Sequence, residues 1–106
     1  MTEYCMILTT AGSAKEAAAL ADGLVAAALA ACVQLMPVQS VYRWEGAVQH
    51  DSETLLLIKT RQVAFDAVAA YIHAHHRYSV PEIICLPITA GSSEYLGWIH
   101  HMTQQG

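Results

Sequence analysis

Basic side chains are scarce in this sequence. Five lysines and arginines stand among 106 residues, against nine acids and six histidines, for a formal charge of −4 at pH 7. Nucleic acids are gripped by Lys and Arg that displace counterions, so a nucleic-acid partner is not expected. No basic amphipathic stretch suggests a membrane surface. The longest apolar run, LVAAALAACV, falls well short of the ~20 residues that span a bilayer. Cysteine is confined to Cys5, Cys32 and Cys85, far apart, in apolar runs, and without C-x-x-C or zinc-type spacing. Reduced, buried thiols in a cytoplasmic protein are the expectation. The opening MTEYCMILTT has an acid at position 3, no basic leader and no small-residue cleavage site, so it reads as a first strand. Catalytic signatures are missing too. There is no G-x-S-x-G elbow, P-loop or G-x-G-x-x-G, and Ser92 and Ser93 have no predictable base beside them. The expectation is a protein that is not an enzyme.

Apolar residues are plentiful: 55% of the chain, with only 13% charged. A single domain, residues 1–106, has a high surface-to-volume ratio, so apolar surface in this excess calls for a cover, and an oligomer supplies one. Residues 3–10 read as a strand. SAKE at 13–16 is a capping box that opens a helix running to about residue 29, with Ala17, Leu20, Leu24 and Ala27 on one stripe. CVQLMPVQSVYRW and AVQHDSETLLLIKT read as long strands around a turn at Glu45-Gly46, and Pro37 marks a bulge or an edge. Thr60 or Arg61 is expected to open a second helix, with Phe65, Val68 and Ile72 on a common face. PEIICLPIT reads as a strand, and GSSEYLGWIHHM as a terminal helix with Tyr95, Ile99 and Met102 in register. The order β-α-β-β-α-β plus a tail helix predicts an α+β, ferredoxin-like sandwich with its helices on one face. LLLI and IICL are apolar at successive positions, so both faces of those strands need burial. A second subunit would cover the other face, with Leu56 among the subunit-facing positions.

AHHRYSVPEI at 74–83 sets two histidines side by side. Adjacent residues do not share a helix face, so the pair serves one ion only if the helix ends between them or if one ligand comes from elsewhere. Holding a metal and finishing a helix C-terminus are both open readings. Strand parity places Val38, Ser40, Tyr42 and Trp44 on one face of their strand. It likewise groups Glu53, Leu55, Leu57 and Lys59. Glu45, Asp51 and Glu53 gather near the hairpin tip, where charges ordinarily solvate a turn. His50, His100 and His101 read as surface.

Five motifs in this order resemble the CutA divalent-cation-tolerance family: LAAC, YRWEG, Glu53 to Lys59 as E-x-x-x-x-x-KT, H-x-Y-x-x-PEI, and YL-x-W at 95–98. The resemblance spans nearly the whole chain. It implies a cytoplasmic homotrimer akin to the PII signalling proteins, and a role in tolerance of copper and other divalent ions with no established reaction. The implied cofactor is Cu(II) or another divalent cation, with none required for folding. The implied ligands are His75 and His76. A third family ligand, a strand cysteine, corresponds here to Thr9, a harder and weaker donor than a thiolate. Arg77 stands where many relatives have proline. Tyr42, Trp44, Glu53, Lys59, Tyr78 and Glu82 fall inside the motifs and are expected to line a cleft between subunits, Lys59 pairing with Glu82 or Glu53. The alternative function is a PII-like signalling or interaction module holding a small-molecule ligand in that cleft.

Overall fold

The structure is a computed structural model that describes residues 3–104. The chain runs β1 (Tyr4–Ala11), α1 (Ala14–Ala26), β2 (Cys32–Trp44), β3 (Ala47–Arg61), a 3₁₀ turn (Gln62–Ala64), α2 (Phe65–His75), β4 (Ile84–Pro87) and α3 (Ser93–Met102). The strands form one antiparallel sheet in the order β2-β3-β1-β4. Two βαβ crossovers, through α1 and through α2, produce this order, as the α+β ferredoxin-like expectation requires.

The β2–β3 hairpin keeps an unbroken register from Cys32 opposite Lys59 to Trp44 opposite Ala47. Glu45 (φ 51°) and Gly46 (φ 79°) close it with two left-handed residues, the backbone of a type I′ turn, which matches strand twist. Pro37 sits opposite Thr54 within that register on the edge strand β2, so it marks an edge and no bulge.

Side chains alternate across the sheet. Cys5, Ile7, Thr9 and Ala11 of β1 and Leu56, Ile58 and Thr60 of β3 are buried with Ala17, Leu20 and Leu24 of α1 and Val68 and Ile72 of α2. Each large apolar side chain fully buried there contributes about 1.5–3 kcal/mol. Leu56 is fully buried in this core and does not face a subunit. Its neighbours Leu55 and Leu57 take the opposite face, as period two dictates.

Other expectations are corrected where tertiary bonds outvote local propensity. Helix α1 stops at Ala26, not near 29, because Ala28 turns left-handed (φ 59°). The reversal lets the Leu29 carbonyl accept from Thr60 Oγ1 (2.7 Å), and the Ala31 amide donates to Lys59 O (2.9 Å). Thr60 and Arg61 end β3, and Arg61 is also the backbone N-cap of the 3₁₀ turn that leads into α2, as expected, but its side chain makes no capping bond. Arg61 clamps the tail instead, donating from Nε to Thr103 Oγ1 and from a terminal nitrogen to Thr103 O, both at 2.9 Å. Strand β4 has four residues, and of Tyr95, Ile99 and Met102 only Ile99 is buried. Arg61 and Lys59 belong to the sheet face away from α1 and α2, so α3 packs on that second face and the helices are not all on one side. Met36, Ile84 and Leu86 remain exposed on that face.

Candidate functional site

Helix α2 ends between the paired histidines: His75 is its last residue, and His76 takes an extended backbone (φ −93°, ψ 145°). The rings therefore part. His75 is exposed, stacks on the Tyr71 ring (centroids 4.0 Å apart) and donates from Nδ1 to the Tyr71 carbonyl (2.8 Å). Its Nε2 is the nitrogen left for a further partner. His76 is half-buried and uses both ring nitrogens. Nδ1 accepts from the Tyr78 amide (3.0 Å), which assigns the proton to Nε2, the donor to the Thr10 carbonyl (2.6 Å). The pair thus finishes a helix and bolts the following segment to β1.

Among the described residues, no three of His, Cys, Asp and Glu gather as a metal group. Thr9 points into the core, fully buried, with its Oγ1 lacking a hydrogen-bond partner. Arg77 is exposed, its Nε 3.7 Å from Glu16 Oε1. With Tyr71 and His75, these two line a cavity of about 260 Å³ between α1 and the end of α2.

A larger cavity, about 670 Å³, opens beside the hairpin. Tyr42, Trp44, Glu53, Tyr78 and Glu82 line it, five of the six residues expected in a cleft. The register explains the convergence: Tyr42, Trp44, Asp51 and Glu53 share the sheet face away from the core. His76, bolted to Thr10, delivers Tyr78, whose hydroxyl donates to Glu53 Oε2 (2.9 Å). Gly12 leaves room for that ring, since a Cβ there would stand 3.3 Å from Tyr78 Oη.

Lys59 is absent from this group. It lies six residues from Glu53, about 20 Å along an extended strand, with Nζ 5.5 Å from the Tyr95 ring centroid. The expected pairing with Glu82 or Glu53 is not made within the chain. Parity predicts the face a residue takes, and says nothing of which end of the strand it occupies.

Asp51 was expected only to solvate the turn, yet it accepts from the Tyr42 hydroxyl. Counting back from the Glu45-Gly46 turn sets Ser40 opposite Asp51, so the Tyr42–Asp51 diagonal was available to sequence reasoning. The carboxylates act on both phenols. Burial first, then the bond to Glu53, pushes Tyr78 up to about 12, and the bond to Asp51 raises Tyr42. Of the remaining histidines, His50 and His101 are exposed, and His100 places Nδ1 3.1 Å from Glu3 Oε2. The cysteines are unpaired. Burial and a hydrogen bond with Cys85 raise the Cys5 thiol to about 12.

Strand order, crossovers and an acidic, aromatic cleft on the hairpin define a ferredoxin-like α+β protein whose second sheet face is only partly covered, by α3. Residues 5–102 match the family model of the CutA1 divalent ion tolerance protein, and the chain belongs to that family. It is 51% identical over 86 residues to the chloroplastic protein CutA of Arabidopsis thaliana, covering 80% of this chain and 47% of that one. It is 44% identical over 99 residues to the divalent-cation tolerance protein CutA of Thermus thermophilus, covering 92% and 96%. The solved periplasmic divalent cation tolerance protein CutA of Archaeoglobus fulgidus superposes with TM-score 0.94 at 36% identity, over 95% of this chain and 99% of that one. The chain spans about half the length of the plant relative. The Thermus thermophilus and Archaeoglobus fulgidus proteins are named for tolerance of divalent cations, and none of the three names states a reaction. The expectation of a cytoplasmic protein is overturned, because relatives are chloroplastic and periplasmic. Unpaired thiols carry no address: one as buried as Cys5 is shielded from oxidants in any compartment.

Proposed function

We propose that this chain acts in divalent-cation tolerance as a homotrimer that meets copper weakly, through His75 and without a built two-histidine centre. The state of His76 carries this reading: both of its nitrogens already hold the backbone, so a metal must break one of those bonds to use it. His75 Nε2 is open, and one imidazole on an exposed helix end gives a weak site that favours Cu(II) among divalent ions. Exposed Met36, Ile84 and Leu86 support assembly, since obligate interfaces bury upward of ~2,000 Å² in total. In a Cu(II) titration, His75→Ala removes the binding, whereas His76→Ala leaves it and lowers stability. Abolition of binding by His76→Ala in a folded protein would restore the paired centre. Sedimentation is expected to show a trimer that Leu57→Lys dissociates, and a stable monomer at micromolar concentration refutes the assembly.

A second reading, a PII-like module that holds a small ligand, is favoured by the cavity at the hairpin. Its ~670 Å³ falls within the range of small-molecule sites, and it combines rings with a few convergent polar groups.

A further inference from the structure

Resting on that second reading, we infer that the cleft takes a small organic cation: an ammonium or guanidinium group carried on an apolar body. The charged side chains that line it, Glu53 and Glu82, are both acidic. No lysine, arginine or histidine lines it among the described residues. Three of the chain's cations are engaged elsewhere: Lys59 over Tyr95, Arg61 on Thr103 and Arg77 beside Glu16. Glu53 spends Oε2 on the Tyr78 hydroxyl and keeps Oε1 for a guest. Asp51, held by Tyr42 on the same face, adds a further negative charge. The bond to Asp51 raises the Tyr42 phenol, and burial first and then the bond to Glu53 raise that of Tyr78, with the neighbouring carboxylate charges adding to both.

Each competing class of ligand meets an obstacle. An anion would face carboxylates with no cation to offset them. A neutral ligand would desolvate those carboxylates without neutralising them. A bare metal ion would find two carboxylates where a hard cation wants six or more oxygens, and the rings would give it little. An organic cation uses every wall. Its charge meets Glu53 and Glu82, and its body lies on Trp44, Tyr42 and Tyr78, whose ring faces attract cations.

The test follows the Trp44 indole N–H resonance in the whole assembled protein, assigned with a Trp44→Phe variant. Three probes that share a phenyl ring and differ in the charge they carry are titrated: benzyltrimethylammonium, benzyl alcohol and benzoate. The cation is expected to bind at least about tenfold more tightly than the alcohol, and to weaken as salt screens the carboxylates. Benzoate is expected to give no saturable shift. A Glu53→Gln, Glu82→Gln double variant should bring the cation down to the level of the alcohol and leave the alcohol unchanged. Benzoate binding as well as the cation overturns the charge class while the ligand site stands. Mn(II) alone displacing the ammonium probe overturns it in favour of an inorganic cation. If no probe moves Trp44 and its indole is shielded only on assembly, a second copy fills the cleft, and the ligand reading falls as well.

Discussion

Gly23 lies inside α1, where alanine is ordinarily worth about 1 kcal/mol more than glycine. Here the sign should reverse. A Cβ at this position would overlap the Tyr71 hydroxyl and stand 2.7 Å from Tyr71 Cζ, closer than real Cβ atoms approach. Rotating the hydroxyl cannot relieve a contact with the ring carbon, so the whole ring must swing. That ring is stacked on His75, which also bonds the Tyr71 carbonyl. Overpacking of this kind costs about 1–3 kcal/mol. Set against the helical gain, Gly23→Ala should destabilise by about 1 kcal/mol. With the ring removed by Tyr71→Ala, the same substitution should stabilise by about 1 kcal/mol, a coupling of about 2 kcal/mol between the sites. Urea unfolding of the four chains at one protomer concentration, with unchanged m, measures it. A gain of about 1 kcal/mol from Gly23→Ala in both backgrounds would refute the reasoning and show a freely yielding ring.

Thr9→Val should be neutral or stabilise by about 1–2 kcal/mol in urea unfolding, because Thr9 Oγ1 is buried without a partner; a loss above ~1 kcal/mol would reveal a bond the side chain does make. Glu45→Asn should raise stability by about 0.5–1 kcal/mol, since asparagine tolerates the left-handed backbone that Glu45 adopts at φ 51°; no change in the melting temperature would contradict this. The Tyr78 phenol should titrate near 12 by ultraviolet absorbance, against the ordinary 10.0. Because the folded state favours its protonated form, that contribution is intact below pH 10 and is lost as pH rises through about 12. Tyr78→Phe should remove that transition, and a native Tyr78 titrating at 10.0 would break the argument.

The hairpin was legible almost to the residue. Alternation fixed its faces, and Glu45-Gly46 fixed its register, so Tyr42, Trp44 and Glu53 can be grouped from the sequence alone. The end of α1 was illegible, since nothing local in an alanine run announces that Leu29 must offer its carbonyl to Thr60. Leu56 was assigned to the wrong face because LLLI is apolar at every position, leaving no alternation to read. The histidine pair was spotted, but its chemistry depended on where α2 ends and on a bond to Thr10, sixty-six residues away in sequence. Lys59 failed for lack of a third dimension: its face was right and its position along the strand was not.

The hairpin also outruns its support. Strand β1 pairs with β3 only as far as Thr54, so Ala47–Glu53 and their partners Val38–Trp44 project past the sheet. Seven residues at ~3.3 Å each make an overhang of about 23 Å in a molecule 45 Å long. A lone two-stranded ribbon is marginal in water. This one is a cantilever, propped within the chain by the Tyr78 strut against Glu53. Tyr42, Trp44 and Glu53 ride on the beam, while Tyr78 and Glu82 belong to the irregular segment between α2 and β4, so the width of the cleft follows the position of the beam against that segment. Whatever rests between them works as a splint.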